Sequence, residues 1–367
     1  MKILILTCNT GQGHNSSAAS IKEAFEKKNC ECEIADAISF LSKRASSIID
    51  TCFTGVYRHI PQAFNFSYSH TDTKIGKLAA AEPLMKLIEQ GSKKLYKYIC
   101  ENEYSHVVCV HIFPCMAMAV MKEKYGLNVK TGYLPTDYTC YPFTEKTDAD
   151  AYFLPHADLA DEFVAKGVPK ERLLPTGIPV RSDFLLKQDK ADARESAGLC
   201  ADDKVILLMG GSMGCGPIEE LALAIAEKSD ERTKLLVSCG TNDKLLRSLE
   251  KKKSERLIPF RYSNDIPTLM AAADLFITKP GGISITEAGV MGLPMLLINA
   301  IGGCETPNFN FFGEHKYAYC AESVERAEEL CLSLIDMPEK LQRRSDYLRE
   351  HFYRNSAEEI ANAMLSL

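Results

Sequence analysis

Residues 277–297 read ITKPGGISITEAGVMGLPMLL, and the order of features in this stretch decides the class of fold. An apolar run ends at a Pro-Gly-Gly turn, a helix-forming segment follows, and a second apolar run starts after Pro294. Strand, turn, helix and strand in this order form the unit from which parallel sheets are built. The stretch therefore predicts an α/β protein.

The same alternation runs through both halves of the chain. The candidate strands are KILILT, CEIADA, HVVCVHI, KTGYLPT and DAYFLP, then KVILLMG, TKLLVSCG, LIPFRY, DLFITKP, PMLLINA and YAYCA. The polar stretch 177–199 between the two sets predicts two Rossmann-like domains, 1–180 and 181–349, with a helix at about 350–367 packing back on the first. Ligands bind at the carboxyl ends of such strands, so we expect the domains to face a central cleft.

Composition and charge exclude several classes of protein. The chain has 367 residues, 46% hydrophobic and 25% charged, which is ordinary for a globular protein of two domains. The net charge of −6 argues against nucleic acid as a partner. The 14 cysteines form no C-x-x-C pair, and neither an export signal nor a bilayer-spanning run of roughly 20 apolar residues is visible. We therefore expect a cytoplasmic protein with at most peripheral membrane contact.

The loop TGQGHNSS (10–17) follows the first strand and opens a helix. Gly11 and Gly13 permit a dinucleotide-binding interpretation, with Asp36 in the place of the ribose-binding acid. However, Ser16 occupies the third glycine position, and His14 projects a side chain where the backbone of such a site approaches a pyrophosphate. An NAD(P) oxidoreductase is therefore the less favoured alternative. His14 is either a functional group or a residue that hydrogen-bonds locally at the helix start.

Two further loops carry candidate ligand-binding residues. LMGGSMGCGP (208–217) carries four glycines, more than a tight turn should need, so its N–H groups are expected to face an anion beside a helix start. In the second loop, which contains Pro280-Gly281-Gly282, Ser284 or Thr286 is expected to cap the helix that follows. Glu287 can accept two hydrogen bonds from a ribose diol, or it only favours the helix N-terminus electrostatically.

Together these segments resemble one family. KPGGISITEAGVMGLPMLL followed by GGCETPNFNFF is similar to the nucleotide-sugar site of the glycosyltransferases that make monogalactosyl- and glucosyl-diacylglycerol. TGQGHNSSA is similar to their glycine-rich opening with a histidine, and LPTDY (134–138) and LLPTGIPVR (173–181) match in order and spacing. The resemblance covers essentially the whole chain. The related peptidoglycan N-acetylglucosaminyltransferase shares the two-domain plan, called GT-B.

The resemblance implies an inverting hexosyltransferase that moves a sugar from a UDP-sugar to a lipid hydroxyl, with diacylglycerol as the favoured acceptor. In the C-terminal domain, Glu287 would bind the ribose and Phe260 the uracil, while Glu305 and Asn308 would contact the sugar. The implied diphosphate-binding residues are Gly210, Gly211, Ser212, Gly214, Pro280, Gly281, Gly282 and Ser284. The acceptor would bind the N-terminal domain, where the candidate acceptor-binding residues are Gly11, Gly13, His111 at the end of an apolar strand, and Tyr141.

Three positions depart from the family pattern. Cys304 stands where the family has glutamine before the acid, which leaves the identity of the sugar open. Gln12 replaces a glycine, and Tyr141 stands in a stretch where plant members carry histidine. The acceptor is therefore left open between diacylglycerol, an already glycosylated lipid and an undecaprenyl-linked intermediate.

His14 is the candidate catalytic base, because an imidazole with an ordinary pKa of about 6.5 is suited to taking the proton of an acceptor hydroxyl. Asp137 is the alternative base, or it orients the acceptor or His14. The carboxylates of DADA (148–151) and ADLAD (157–161) are assigned to a strand start and a helix face, so we expect no metal or other cofactor, with a metal-dependent transferase as the alternative. A UDP-sugar sensor without turnover is the non-catalytic alternative.

The region 40–100 is interpreted as an insertion of helices and loops between the second and third strands. It combines apolar residues such as Phe40 and Phe53 with basic residues such as Lys93, Lys94 and Lys97. This mixture favours an interfacial segment drawn to an anionic membrane surface, which would also lie along the lipid tail of the acceptor. The alternative is a pair of core-packing helices with solvated lysines.

Overall fold

The computed structural model describes residues 1–8, 12–40, 74–263, 265–298 and 305–367, with the side chains of residues 12, 74–84 and 87 left out of the description. The predictions made for Gly11, for Cys304 and for residues 41–73 of the insertion lie outside the described residues. Two compact units divide the chain. One is Met1–Arg181 with Tyr353–Leu367, and the other is Ser182–Phe352.

Each unit is built on a six-stranded parallel sheet. The strands of the first unit are β1 Lys2–Thr7, β2 Glu31–Asp36, β3 His106–Cys109, β4 Lys130–Tyr133, β5 Ala151–Leu154 and β6 Leu173–Pro175. Those of the second unit are β7 Lys204–Met209, β8 Thr233–Ser238, β9 Leu257–Phe260, β10 Leu275–Thr278, β11 Met295–Ile298 and β12 Ala318–Ala321. All strands but β6 were predicted, and β6 was missed because it has only three residues, none of them buried.

Helices connect the strands and cover the sheets. They are α1 Gln12–Lys27, α2 Lys74–Glu101, α3 Ile112–Tyr125, α4 Ala160–Ala165, α5 Lys190–Ser196, α6 Ile218–Lys228, α7 Asp243–Glu250, α8 Ile266–Ala272, α9 Gly282–Met291, α10 Glu305–Glu314, α11 Val324–Ile335, α12 Pro338–His351 and α13 Ser356–Leu365. The central strands are apolar without alternation, as expected where helices lie on both faces of a parallel sheet. Residues 3–6 of β1, for example, are fully buried.

The strand order reverses once in each sheet. The first sheet runs β2-β1-β3-β4-β5-β6, so β1 lies between β2 and β3. The second runs β12-β11-β10-β7-β8-β9, so β7 lies between β10 and β8. At such a reversal, the loops that leave two adjacent strands at their carboxyl ends diverge to opposite faces and leave a crevice. The crevices therefore lie between the loops after β1 and β3, and between those after β7 and β10.

The last helix belongs to the first unit. Ile360, Ala361 and Met364 of α13 join the same apolar core as Ile3 and Phe153 of the first sheet. The first unit ends at Arg181 and resumes at Tyr353, next to the boundaries at 180 and about 350 expected from the sequence.

The described part of the insertion is the long helix α2. Its residues Ile88, Leu95 and Ile99 are buried, while Lys93 and Lys94 are exposed. The helix packs against α3, as in the core-packing alternative, and presents its lysines to solvent. Among the helices described, none combines the length and the apolar character needed to cross a membrane.

The predicted cap of α9 is wrong. The helix starts at Gly282, and its N-cap is Gly281 in extended conformation without a side-chain cap. Thr286 lies too far inside the helix to cap it, and its Oγ1 donates instead to the carbonyl oxygen of Gly282 at 2.6 Å. Ser284 lies in the first turn, so its own N–H is one of the backbone donors without a partner inside the helix that a capping side chain would accept from.

We predict that Gly132→Ala destabilises the first unit by about 1–3 kcal/mol, the cost of overpacking a filled core. A Cβ on this residue of β4 would lie 2.6 Å from Met364 Sδ and 2.6 Å from Phe153 Cε2. The control is Gly313→Ala in α10, whose Cβ would lie 3.2 Å from Cys320 Sγ and whose helix gains up to about 1 kcal/mol in propensity. Urea unfolding should show a clear loss for the first variant and a smaller change for the second, where only Cys320 Sγ must shift by a few tenths of an ångström. Equal losses would contradict the packing of α13 on β4.

Candidate functional site

His14 lies in the first turn of α1, beside the loop that follows β3. Its Nδ1 is 3.1 Å from the carbonyl oxygen of Val110 and 3.0 Å from Thr136 Oγ1. A carbonyl oxygen can only accept a hydrogen bond, so Nδ1 carries the hydrogen. The other ring nitrogen, Nε2, is then unprotonated and is the atom that can accept a proton.

His111 completes a pair of histidines at the first strand reversal. It was expected to end a strand, but β3 ends at Cys109 and His111 is the N-cap of α3, where its Nδ1 accepts the N–H of Phe113 at 3.2 Å. Its Nε2 must therefore carry the hydrogen in the neutral ring. The ring centroids of His14 and His111 are 4.9 Å apart, with the planes at 79°. The two neutral rings thus have opposite tautomers.

Burial keeps both rings neutral. It lowers the pKa of His14 to about 4, and the hydrogen bond to Val110 opposes this only in part. Burial and the neighbouring His14 hold the pKa of His111 well below its ordinary value. At neutral pH, His14 is therefore unprotonated and able to accept a proton, although its low pKa makes it a weak base.

The LPTDY segment supplies two different side chains. Thr136 contacts His14, whereas Asp137 accepts a hydrogen bond from the hydroxyl of Tyr141 through its Oδ2. Sequence reasoning identified Asp137 and Tyr141 but not Thr136, although Thr136 stands in the same motif. The structure therefore brings together His14 in the first turn of α1, its contact Val110 after β3, and Thr136, Asp137 and Tyr141 after β4.

The dinucleotide interpretation of the first loop receives little support from Asp36. Its Oδ1 accepts the N–H of Ile38 at 3.0 Å, and its carbonyl oxygen accepts the hydroxyl of Ser39 at 2.6 Å. The carboxylate therefore stabilises the turn that follows β2. Gly13 lies in the first turn of α1, directly before the candidate base.

The glycines of the loop after β7 are explained by the turn itself, contrary to the sequence argument. Gly211, Gly214 and Gly216 have φ values of 72°, 59° and 101°, which other residues rarely adopt. A Cβ on Gly210 would lie 2.3 Å from the carbonyl oxygen of Cys215. The number of glycines is thus no sign of a phosphate site. Apart from these glycines, only Ser212 was assigned to the anion in this loop, so anion binding needs support from residues elsewhere.

That support comes from Lys279, which sequence reasoning missed. Lys279 follows β10, and its ammonium group donates to Glu305 Oε1 at the start of α10. The exposed fractions of the two side chains are only 15% and 4%. A Cβ on Gly211 would lie 2.8 Å from Lys279 Cε, and one on Gly281 would lie 3.8 Å from Lys279 Nζ. The ion pair therefore lies against both loops at the second strand reversal.

The other predicted donor residues lie in the same unit, on or beside α9, α10 and β9. Asn308 is fully buried, and its Nδ2 donates to the carbonyl oxygen of Pro280 at 2.8 Å, so it fixes the loop before α9. Glu287 lies in the second turn of α9 and is buried, while Ser284 in the first turn is partly buried. Phe260, the last residue of β9, is also partly buried.

Comparisons with known proteins identify the two halves of the chain separately. Residues 14–180 match the family model of monogalactosyldiacylglycerol (MGDG) synthase, and residues 205–360 match that of the glycosyltransferase family 28 C-terminal domain. A processive diacylglycerol beta-glucosyltransferase of Bacillus cereus strain B4264 is 26% identical over 381 residues, which cover 100% of this chain and 93% of that protein. One of Staphylococcus saprophyticus is 27% identical over 385 residues, with the same coverage.

Solved structures confirm the predicted fold class. MurG of Acinetobacter baumannii has a TM-score of 0.66 at 14% identity, over 100% of this chain and 99% of its own. The UDP-GlcNAc 2-epimerase of Neisseria meningitidis bound to UDP-GlcNAc has a TM-score of 0.66 at 14% identity, over 100% of both chains. At this identity the likeness concerns the fold, which is the α/β GT-B class.

We predict that the His14 ring titrates with a pKa of about 4 in the folded protein. NMR of histidine-labelled protein measures it, with His14→Gln to assign the signal and the denatured chain as the reference near about 6.5. Because the unfolded chain binds this proton at higher pH, the contribution of His14 to the free energy of unfolding is complete above about pH 6.5 and falls as the pH drops towards 4. A midpoint near 6.5 in the folded protein would contradict the buried, neutral pair.

Proposed function

We propose that this chain, whose two halves match the models of monogalactosyldiacylglycerol synthase and of the glycosyltransferase family 28 C-terminal domain, transfers a hexose from a UDP-sugar to diacylglycerol with inversion at the anomeric carbon. The observation that carries the proposal is the neutral His14, whose Nδ1 is held by Val110 so that Nε2 can accept a proton. The names of the relatives support diacylglycerol as the acceptor.

The second unit is assigned to the donor. The N-terminus of α9 directs its first N–H groups towards the end of β10, which suits a diphosphate. Glu287 is assigned to the ribose and Phe260 to the uracil, while Asn308 holds Pro280 in place. The similar fold of the epimerase bound to UDP-GlcNAc supports this class of ligand.

The first unit is assigned to the acceptor and to proton transfer. As the acceptor oxygen attacks the anomeric carbon, its proton passes to His14 Nε2, and the bond between that carbon and the diphosphate oxygen breaks. The leaving UDP keeps the electron pair of that bond. Val110 and Thr136 keep Nδ1 oriented throughout, and the carbonyl oxygen of Val110 stabilises the imidazolium that forms. His111, Asp137 and Tyr141 are assigned to the acceptor, and no metal is required by this scheme.

His14→Ala should lower kcat by about 10²- to 10⁴-fold, the usual contribution of a positioned base. The assay combines UDP-glucose, UDP-galactose and UDP-N-acetylglucosamine with diacylglycerol vesicles, and mass spectrometry detects the glycolipid. The control is His351→Ala at the exposed end of α12, which should keep full activity. Turnover that survives His14→Ala would refute the base assignment. Absence of turnover with every donor, alongside UDP-sugar binding, would favour a sensor.

A peripheral location at the inner face of an anionic membrane is part of the proposal. It is supported by the exposed Lys93 and Lys94 of α2, and each such charge near the surface contributes about 1 kcal/mol of binding. The double change Lys93→Glu and Lys94→Glu should weaken co-sedimentation with phosphatidylglycerol vesicles about tenfold or more. The matched control is Lys251→Glu with Lys252→Glu, an exposed pair in the second unit. Equal losses in both variants would contradict a membrane role for α2.

A further inference from the structure

The buried ion pair of the second unit lies in an unusual place for a structural salt bridge. Lys279 comes directly after β10, and Glu305 opens α10. The lysine side chain lies against Gly211 in the loop after β7, in the space that a Cβ on Gly211 would occupy. Its ammonium group lies near Gly281, the N-cap of α9. The pair therefore occupies the point where the two loops meet, at the positive end of a ten-residue helix.

Neither Lys279 nor Glu305 can lose its partner without another group that compensates its charge. The exposed fractions of 15% and 4% leave little room for hydration, and an isolated buried charge is costly. An anion that draws Lys279 away must therefore be accompanied by a new hydrogen-bond donor for Glu305. A diphosphate satisfies the lysine, and sugar hydroxyl groups can satisfy the carboxylate. A UDP-sugar carries both, whereas UDP carries only the first.

We propose that Lys279 binds the donor diphosphate and that Glu305 holds Lys279 in the ligand-free protein, releasing it only to a complete nucleotide-sugar; this inference rests on the proposed function. The exchange makes the ion pair a discriminator between substrate and product. When the hexose has left, Glu305 loses its hydroxyl donors and competes again for Lys279. The competition weakens the hold on UDP and assists its release.

The exchange assigns opposite effects to the two side chains. Glu305→Gln removes the competing negative charge, so UDP should bind about three- to tenfold more tightly. Lys279→Met alone would leave a buried carboxylate and risks unfolding, so the lysine is tested in the double variant Lys279→Met with Glu305→Gln. This variant should bind UDP about 10- to 100-fold more weakly than Glu305→Gln, since a charge-assisted hydrogen bond is lost.

Calorimetric titration of the full chain with UDP, uridine, UDP-glucose and UDP-galactose tests the inference. Uridine lacks phosphate, so its affinity should stay unchanged in every variant. Glu305→Gln should also reduce the ratio by which the better UDP-hexose outbinds UDP. The matched control is Lys204→Met at the opposite end of the second sheet, where Lys204 pairs with Asp230 and Asp336, and it should leave UDP affinity unchanged.

Each outcome decides the matter. Equal losses for UDP and uridine in the double variant would make Lys279 a structural residue and overturn the inference alone. Weaker UDP binding by Glu305→Gln would overturn the exchange with Glu305. A wild-type protein that binds neither UDP nor any UDP-hexose would overturn the proposed function together with the inference.

Discussion

The reversal of strand order in each parallel sheet is the constraint on which both candidate sites depend. Strands β1 and β3 are adjacent in the sheet although 98 residues lie between the end of β1 and the start of β3. The segments that follow these two strands place His14 beside Val110 and His111. Strands β7 and β10 are adjacent in the same way, and their loops place Gly211 against Lys279. Adjacent parallel strands end at the same edge of a sheet. The pairing of the strands is therefore enough to bring residues distant in sequence together at that edge.

The two units handle charge in opposite ways. At the first reversal, burial leaves both histidines neutral, and each ring has one nitrogen engaged with backbone. At the second, the buried charges of Lys279 and Glu305 are retained and compensate each other. A neutral ring suits a group that must accept a proton, whereas a compensated ion pair suits a site that must accept an anion. The chemistry assigned to each unit thus follows from how its buried polar groups are satisfied.

The sequence predicts the fold well and the site incompletely. Hydrophobic patterning locates the strands because the central ones, such as β1, β3, β7 and β10, are almost wholly buried, and only the short β6 was not predicted. His14 is identifiable because a histidine is unexpected in a glycine loop. Thr136 and Lys279 are not, although both stand in quoted motifs, because their meaning lies in contacts with His14, 122 residues away, and with Glu305, 26 residues away. Local pattern cannot reveal such partners.

The glycine loop after β7 shows that a glycine-rich motif can have a structural explanation independent of any ligand. Its four glycines suggest a phosphate-binding loop, but the positive φ values of Gly211, Gly214 and Gly216 and the close backbone contacts are requirements of the turn. Gly211 meets two requirements at once, because a side chain there would be strained and would also collide with Lys279 Cε. The loop and the lysine therefore pack together, because the absence of a side chain on Gly211 leaves the space that Lys279 occupies. Under the proposed function, anion binding in this unit is assigned to Lys279 and to the start of α9, and the loop allows the lysine to approach.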